Sequence, residues 1–127
     1  MGHVSSNMTV KGETGERALT DILVDSGATY SVLSPEMVKQ VGATKASFTT
    51  DVELGDGHKV KAAIYHALAS IGDRERPAII LAFEGAREAI GVQTLEALGL
   101  KPDPATGKLE ATRPKGLAYF YSMCNLY

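Results

Sequence analysis

The sequence predicts a mainly β protein, a small closed barrel carrying one or two short helices. Three observations point there. Apolar residues recur in short runs of strand length, the breaks between them hold glycine, aspartate and proline, and only two stretches carry helix start and stop signals. The 127 residues show no repeat, low-complexity tract or internal linker, so they read as one domain over 1–127. Its core is expected in about 18–109, with 110–127 as an apolar C-terminal tail.

Met8 to Lys11 alternates as a strand and Gly12-Glu13-Thr14-Gly15 reads as a hairpin turn. Ala18 to Val24 returns as a strand that becomes wholly apolar toward Asp25, the pattern of an amphipathic start and a buried end. Tyr30 to Leu33 is a further short strand. Ser34-Pro35-Glu36 then opens a helix with Ser as N-cap, Pro at the first helical position and an acid in the first turn. Met37, Val38 and Val41 give that helix an apolar face, more simply core than catalytic, and Gly42 ends it.

Phe48 to Leu54 and Lys59 to Tyr65 flank Gly55-Asp56-Gly57-His58, and Asp-Gly between alternating runs is a strong hairpin signal. His66 to Ile71 continues the return arm, Gly72 to Arg76 is read as a turn, and Pro77 to Phe83 as a central strand. Gly85 to Glu88 leads to Ala89-Ile90-Gly91. A short helix follows, packed through Leu95, Leu98 and Leu100 and closed by Gly99. Pro102 to Gly107 is read as a turn before Lys108-Leu109-Glu110.

Composition excludes several classes. A net charge of -2 with no basic run leaves no electrostatic footprint for nucleic acid. The longest apolar run, Ala78 to Phe83, falls far short of the ~20 residues a membrane helix needs. No membrane partner and no secretory leader are therefore expected. Cys124 is the single cysteine, which rules out an intrachain disulfide and points to a reducing, cytoplasmic setting. His3, His58 and His66 share no metal-ligand spacing, so neither a metal nor another cofactor is expected.

The candidate chemistry lies in Leu23-Val24-Asp25-Ser26-Gly27-Ala28-Thr29. A carboxylate ends an apolar strand and is followed by residues too small to cover it. Desolvating a carboxylate is costly, so an acid there is either a turn former or a group set aside for proton chemistry. Asp25-Ser26-Gly27-Ala28 resembles the active-site signature of aspartic proteases, Asp-Thr/Ser-Gly-Ala/Ser, in the retroviral-like (retropepsin-like, clan AA) single-domain form. Ala89-Ile90-Gly91, followed by the run from Val92 to Leu100, resembles that family's second signature of two apolar residues, a glycine and a short helix. The agreement in order and spacing runs from about Ala18 to Leu109.

The resemblance implies an acid-protease barrel and a homodimer. Such enzymes hydrolyse peptide bonds with two carboxylates sharing one proton, since like charges about 3 Å apart cannot both ionise. Asp21, Asp51, Asp56, Asp73 and Asp103 all lack the small-residue turn, so the dyad would be Asp25 from each of two subunits. By the same resemblance, Ser26 ties the two active-site loops together and Gly27 admits the other subunit and the substrate backbone. Ala28 has no hydroxyl to donate to the carboxylates, which points to a working range nearer weakly than strongly acidic. Thr29 stands where many relatives carry an acid, and is left with a hydrogen bond to the substrate backbone. Gly55, Asp56 and Gly57 form the tip of a flap over the bound peptide. Ala89, Ile90 and Gly91 support the side-chain pockets, with the small Ala89 leaving a roomier wall. Substrates are peptides or unfolded protein segments, and the tail Gly116 to Tyr127 either joins the dimer interface or covers the cleft. Two other readings stay open: a catalytically weak or inactive dimeric binding or scaffold module on the same fold, and a small β-barrel unrelated to proteases.

Overall fold

The computed structural model describes residues 3–120. In chain order its elements are β1 (Ser5–Lys11), β2 (Glu16–Val24), β3 (Ser31–Leu33), α1 (Pro35–Val41), β4 (Thr44–Glu53) and β5 (Lys59–Ile71). They continue with β6 (Arg74–Ala82), β7 (Ala89–Ile90), α2 (Val92–Leu98), β8 (Leu100–Asp103) and β9 (Lys108–Ala111). The fold is mainly β, as the sequence predicts. Seven strands share a sheet in the order β1-β2-β7-β3-β6-β5-β4, and β1 also pairs with β5. The pairings thus run in a circuit from β1 back to itself, with β4 outside it. β8 and β9 form a separate hairpin.

The strands meet where residue patterning and turns agree. β6 pairs antiparallel with β5 along its whole length, from Arg74 opposite Ile71 to Ala82 opposite Ala63. β6 also pairs in parallel with β3, which makes it the central strand expected from its apolar run. β7 is inserted between two neighbours, parallel to β2 and antiparallel to β3. Its two residues bring the end of β2 and the middle of β3 together. Helix α1 has the predicted ends: Ser34 Oγ accepts the Met37 amide at 3.2 Å, and Gly42 closes it with φ 71°.

The main core gathers Val10, Leu33, Val38, Val41, Ile80 and Ile90, all essentially inaccessible to solvent. Burying a side chain of this size contributes ~1.5–3 kcal/mol each. A smaller, separate cluster gathers Ala62 and Ile64 of β5 and Leu81 of β6, with Val32, Val52 and Phe83 packed against it.

Several boundaries differ from the sequence reading, each for a local reason. In β2 a bulge opposite Asn7 sets Asp21 at φ 56°, and the Asn7 side chain accepts the Asp21 amide at 3.0 Å. The bulge shifts the inward face by one residue, so Leu19, Ile22 and Val24 all point into the core. β4 begins at Thr44 rather than Phe48, because a break in register between Lys45 and Thr49 hides its alternation and leaves Phe48 66% exposed. The turn read over Gly72 to Arg76 is only Gly72-Asp73, and Arg74 to Arg76 already belong to β6. Leu100 opens β8 instead of packing within α2, since Gly99 at φ 74° ends the helix one residue earlier. Pro102 and Asp103 are strand residues, which shortens the following turn. Of the C-terminal tail, Leu117, Tyr119 and Phe120 are exposed, and residues 121–127, Cys124 among them, lie outside the described residues.

Candidate active site

Asp25 is the first residue beyond β2. Its amide donates to the Ile90 carbonyl at 2.9 Å, carrying the β2–β7 pairing one step past the strand. The chain then turns: the Ala28 amide donates to the Asp25 carbonyl at 3.1 Å, and the Gly27 amide to Asp25 Oδ1 at 2.9 Å. Asp25 is half-buried, with Ser26 and Gly27 exposed beside it. Asp25 therefore forms the turn, and the Gly27 amide fixes the orientation of its carboxylate.

The loop is bound to the segment that carries the second motif. The first amides of a helix lack partners inside it. In α2 the Val92 amide donates to the Ala28 carbonyl at 2.8 Å and the Gln93 amide to the Thr29 carbonyl at 2.9 Å. Gln93 Oε1 accepts the Ile79 amide at 3.0 Å, tying the same turn to β6. Beneath them, Ser31 Oγ accepts the Gly91 amide at 3.0 Å and shares a 2.6 Å hydrogen bond with Thr94 Oγ1. A Cβ on Gly91 would lie 2.4 Å from the carbonyl carbon and oxygen of Tyr30, so only glycine permits this crossing of backbones.

A cleft of about 800 Å³ opens over Asp25. Its floor comes from Asp25, Gly27, Ala28 and Thr29, and Ala89 forms part of its wall beside Leu23 and Phe83. Thr50 to Gly55, from the β4–β5 hairpin, line the opposite side. The hairpin loop is closed by the Leu54 amide on the His58 carbonyl at 2.7 Å and the Gly57 amide on the Leu54 carbonyl at 2.9 Å. Gly57 needs its glycine for φ 90°, whereas a Cβ on Gly55 would meet nothing within 4 Å. Asp56 accepts the His58 amide at 3.0 Å and pairs with His58 Nδ1 at 2.9 Å. These bonds, the side-chain one foremost, lower the Asp56 pKa below the ordinary carboxylate value.

The structure thus brings Asp25, Gly27, Ala28, Thr29, Ala89 and Gly55 to one cleft, with Ile90 and Gly91 directly behind the loop. Ser26, Asp56 and Gly57 lie outside its lining. Sequence reasoning missed Ser31, Thr94 and Gln93, whose hydrogen bonds join segments far apart in the chain, and Arg87, which lines the cleft from the loop before β7. Among the described residues no group of three His, Cys, Asp or Glu side chains is placed to hold a metal ion. No helix among them is long and apolar enough to cross a membrane.

A family model for aspartyl proteases matches residues 7–89, well over half of the chain. The chain belongs to this family, a retropepsin-like aspartyl protease family of clan AA. The matched span holds the Asp25 loop and the hairpin and ends at Ala89, so Ile90, Gly91 and α2 follow it. No curated protein matches the chain.

Proposed function

We propose that the protein is a homodimeric aspartic endopeptidase, one 1–127 domain per subunit, acting on peptides or unfolded segments in the cytoplasm. The observation that carries this reading is the seat of Asp25: a half-buried carboxylate, oriented by the Gly27 amide, at the floor of a peptide-sized cleft in a chain of the aspartyl protease family. The sequence holds one Asp-Ser-Gly, so a dyad takes Asp25 from each subunit, with the exposed Ser26 and Gly27 at the junction. A small closed barrel fits the circuit of strand pairings.

In that dyad the ionised carboxylate takes a proton from water, whose oxygen attacks the scissile carbonyl carbon. The protonated carboxyl donates to the carbonyl oxygen. Collapse of the tetrahedral intermediate breaks the C–N bond as the amine nitrogen is protonated. The Gly55-Asp56-Gly57 tip serves as the flap, and Ala89 with Ile90 and Gly91 supports the pocket wall.

The test is cleavage of an unstructured protein by the wild type and by Asp25→Asn between acid and neutral pH. Loss of cleavage in Asp25→Asn with folding intact supports the reading. Equal behaviour of the two proteins overturns it.

A further inference from the structure

We propose that Arg87 selects the peptide to be cut, its guanidinium receiving an acidic side chain of the substrate beside Asp25. The proposal rests on the proteolytic reading above. Arg87 lines the cleft together with Asp25, Phe83, Gly85 and Ala89. Ala89 is in register with Leu23, and the next residue, Ile90, accepts the Asp25 amide. The loop that carries Arg87 therefore runs straight into the strand that props the aspartate.

Arg87 is exposed, and among the described residues it makes no hydrogen bond or ion pair, not even with its neighbours Glu84 and Glu88. A guanidinium stays charged throughout the range of proteolysis and offers a planar fork that matches a carboxylate. The acids of the hairpin side are differently placed. Asp51 is bonded to Lys61 at 3.3 Å, and Glu53 stands opposite Lys59 across the β4–β5 pair. Much of the remaining wall is apolar, through residues such as Leu23, Val32 and Leu81. A peptide filling the cleft would strip water from Arg87, so an opposed carboxylate is favoured and a lysine disfavoured. Asp25 would repel that carboxylate, and Arg87 offsets the repulsion from the same cleft.

The experiment uses the full chain and peptides blocked at both ends, so that only side chains supply charge. Glu, Gln or Lys is placed in turn at each position around the scissile bond. For the wild type, kcat/KM at one position is expected to favour Glu over Gln by about tenfold, with Lys worst. Arg87→Gln should flatten that ratio and Arg87→Glu should reverse it toward Lys. An identical charge preference in wild type and both variants overturns the proposal. If the wild type cleaves none of the peptides, the proteolytic reading fails separately, and anisotropy of the labelled peptides on Asp25→Asn decides for Arg87. Tighter binding of the Glu peptides, lost when Arg87→Glu is added, sustains the assignment; binding indifferent to charge removes it.

Discussion

Ser31 and Thr94 join their hydroxyls at 2.6 Å with both side chains wholly buried, and Ser31 also accepts the Gly91 amide. Ser31 follows the Asp25 loop and Thr94 lies in α2, so this one contact fastens the loop to the helix behind it. Valine at 94 keeps the shape and removes the hydroxyl, leaving Ser31 short of a partner. Thr94→Val should cost about 1–3 kcal/mol in a urea titration, and Thr94→Ser distinctly less. Equal stability of the two variants would show that the hydroxyl pair contributes nothing.

Gly91 and Gly55 make a matched pair of tests. Alanine at 91 drives a methyl into the Tyr30 backbone, which has no flexible end to yield. Gly91→Ala is expected to cost about 3 kcal/mol or to prevent folding, by the overpacking of a tight crossing. Gly55→Ala, with open space around it, should stay within about 0.5 kcal/mol of wild type. Thermal melts of both proteins read the difference.

Arg74 holds the far end of α2. It donates to the Leu98 carbonyl at 3.0 Å, the Gly99 carbonyl at 3.2 Å and the Arg113 carbonyl at 3.0 Å. Arg113 in turn donates to Ala97 at 2.7 Å and to Leu117 at 2.6 Å. Arg74→Met keeps the stem and removes these charged donors, so denaturant unfolding should show a loss of about 2 kcal/mol. Amide exchange of the segment after β9 should quicken in parallel, and unchanged exchange would contradict the clamp.

The Asp56 carboxyl titrates below its ordinary value of 3.8 because the His58 side chain and amide hydrogen-bond to it. A depressed folded-state pKa means the favourable contribution is present above the unfolded value and is lost as pH falls through the folded one. A carboxyl-carbon NMR titration should place the Asp56 midpoint below 3.8. His58→Ala should move it upward, though not fully, since the residue 58 amide remains. A midpoint indifferent to His58 would discount the pair.

The ends of α1 were legible because Ser34-Pro35 and Gly42 act through local backbone chemistry. The hairpin over Gly55-Asp56-Gly57-His58 and the central β6 were legible for the same reason of pattern and turn. The bulge at Asp21 was not, since its left-handed backbone depends on a hydrogen bond from across the sheet at Asn7. Ser31 and Thr94 carried no signal, two hydroxyls of common type that meet only after the chain has folded. Arg87 was hidden in a polar loop where charge alone does not show which side faces a cleft. Asp25 stood out through its motif, and the structure places it at the cleft with its carboxylate held by the Gly27 amide.

The proposed chemistry belongs to two Asp25 residues on two subunits. The most direct measurement is the specific activity of wild type mixed and equilibrated with increasing Asp25→Asn protein at fixed total concentration. Only dimers with two aspartates are active in this account, so an equal mixture should retain about a quarter of the undiluted activity, following the square of the wild-type fraction. Activity proportional to the amount of wild type would contradict it, placing the whole reaction within one chain.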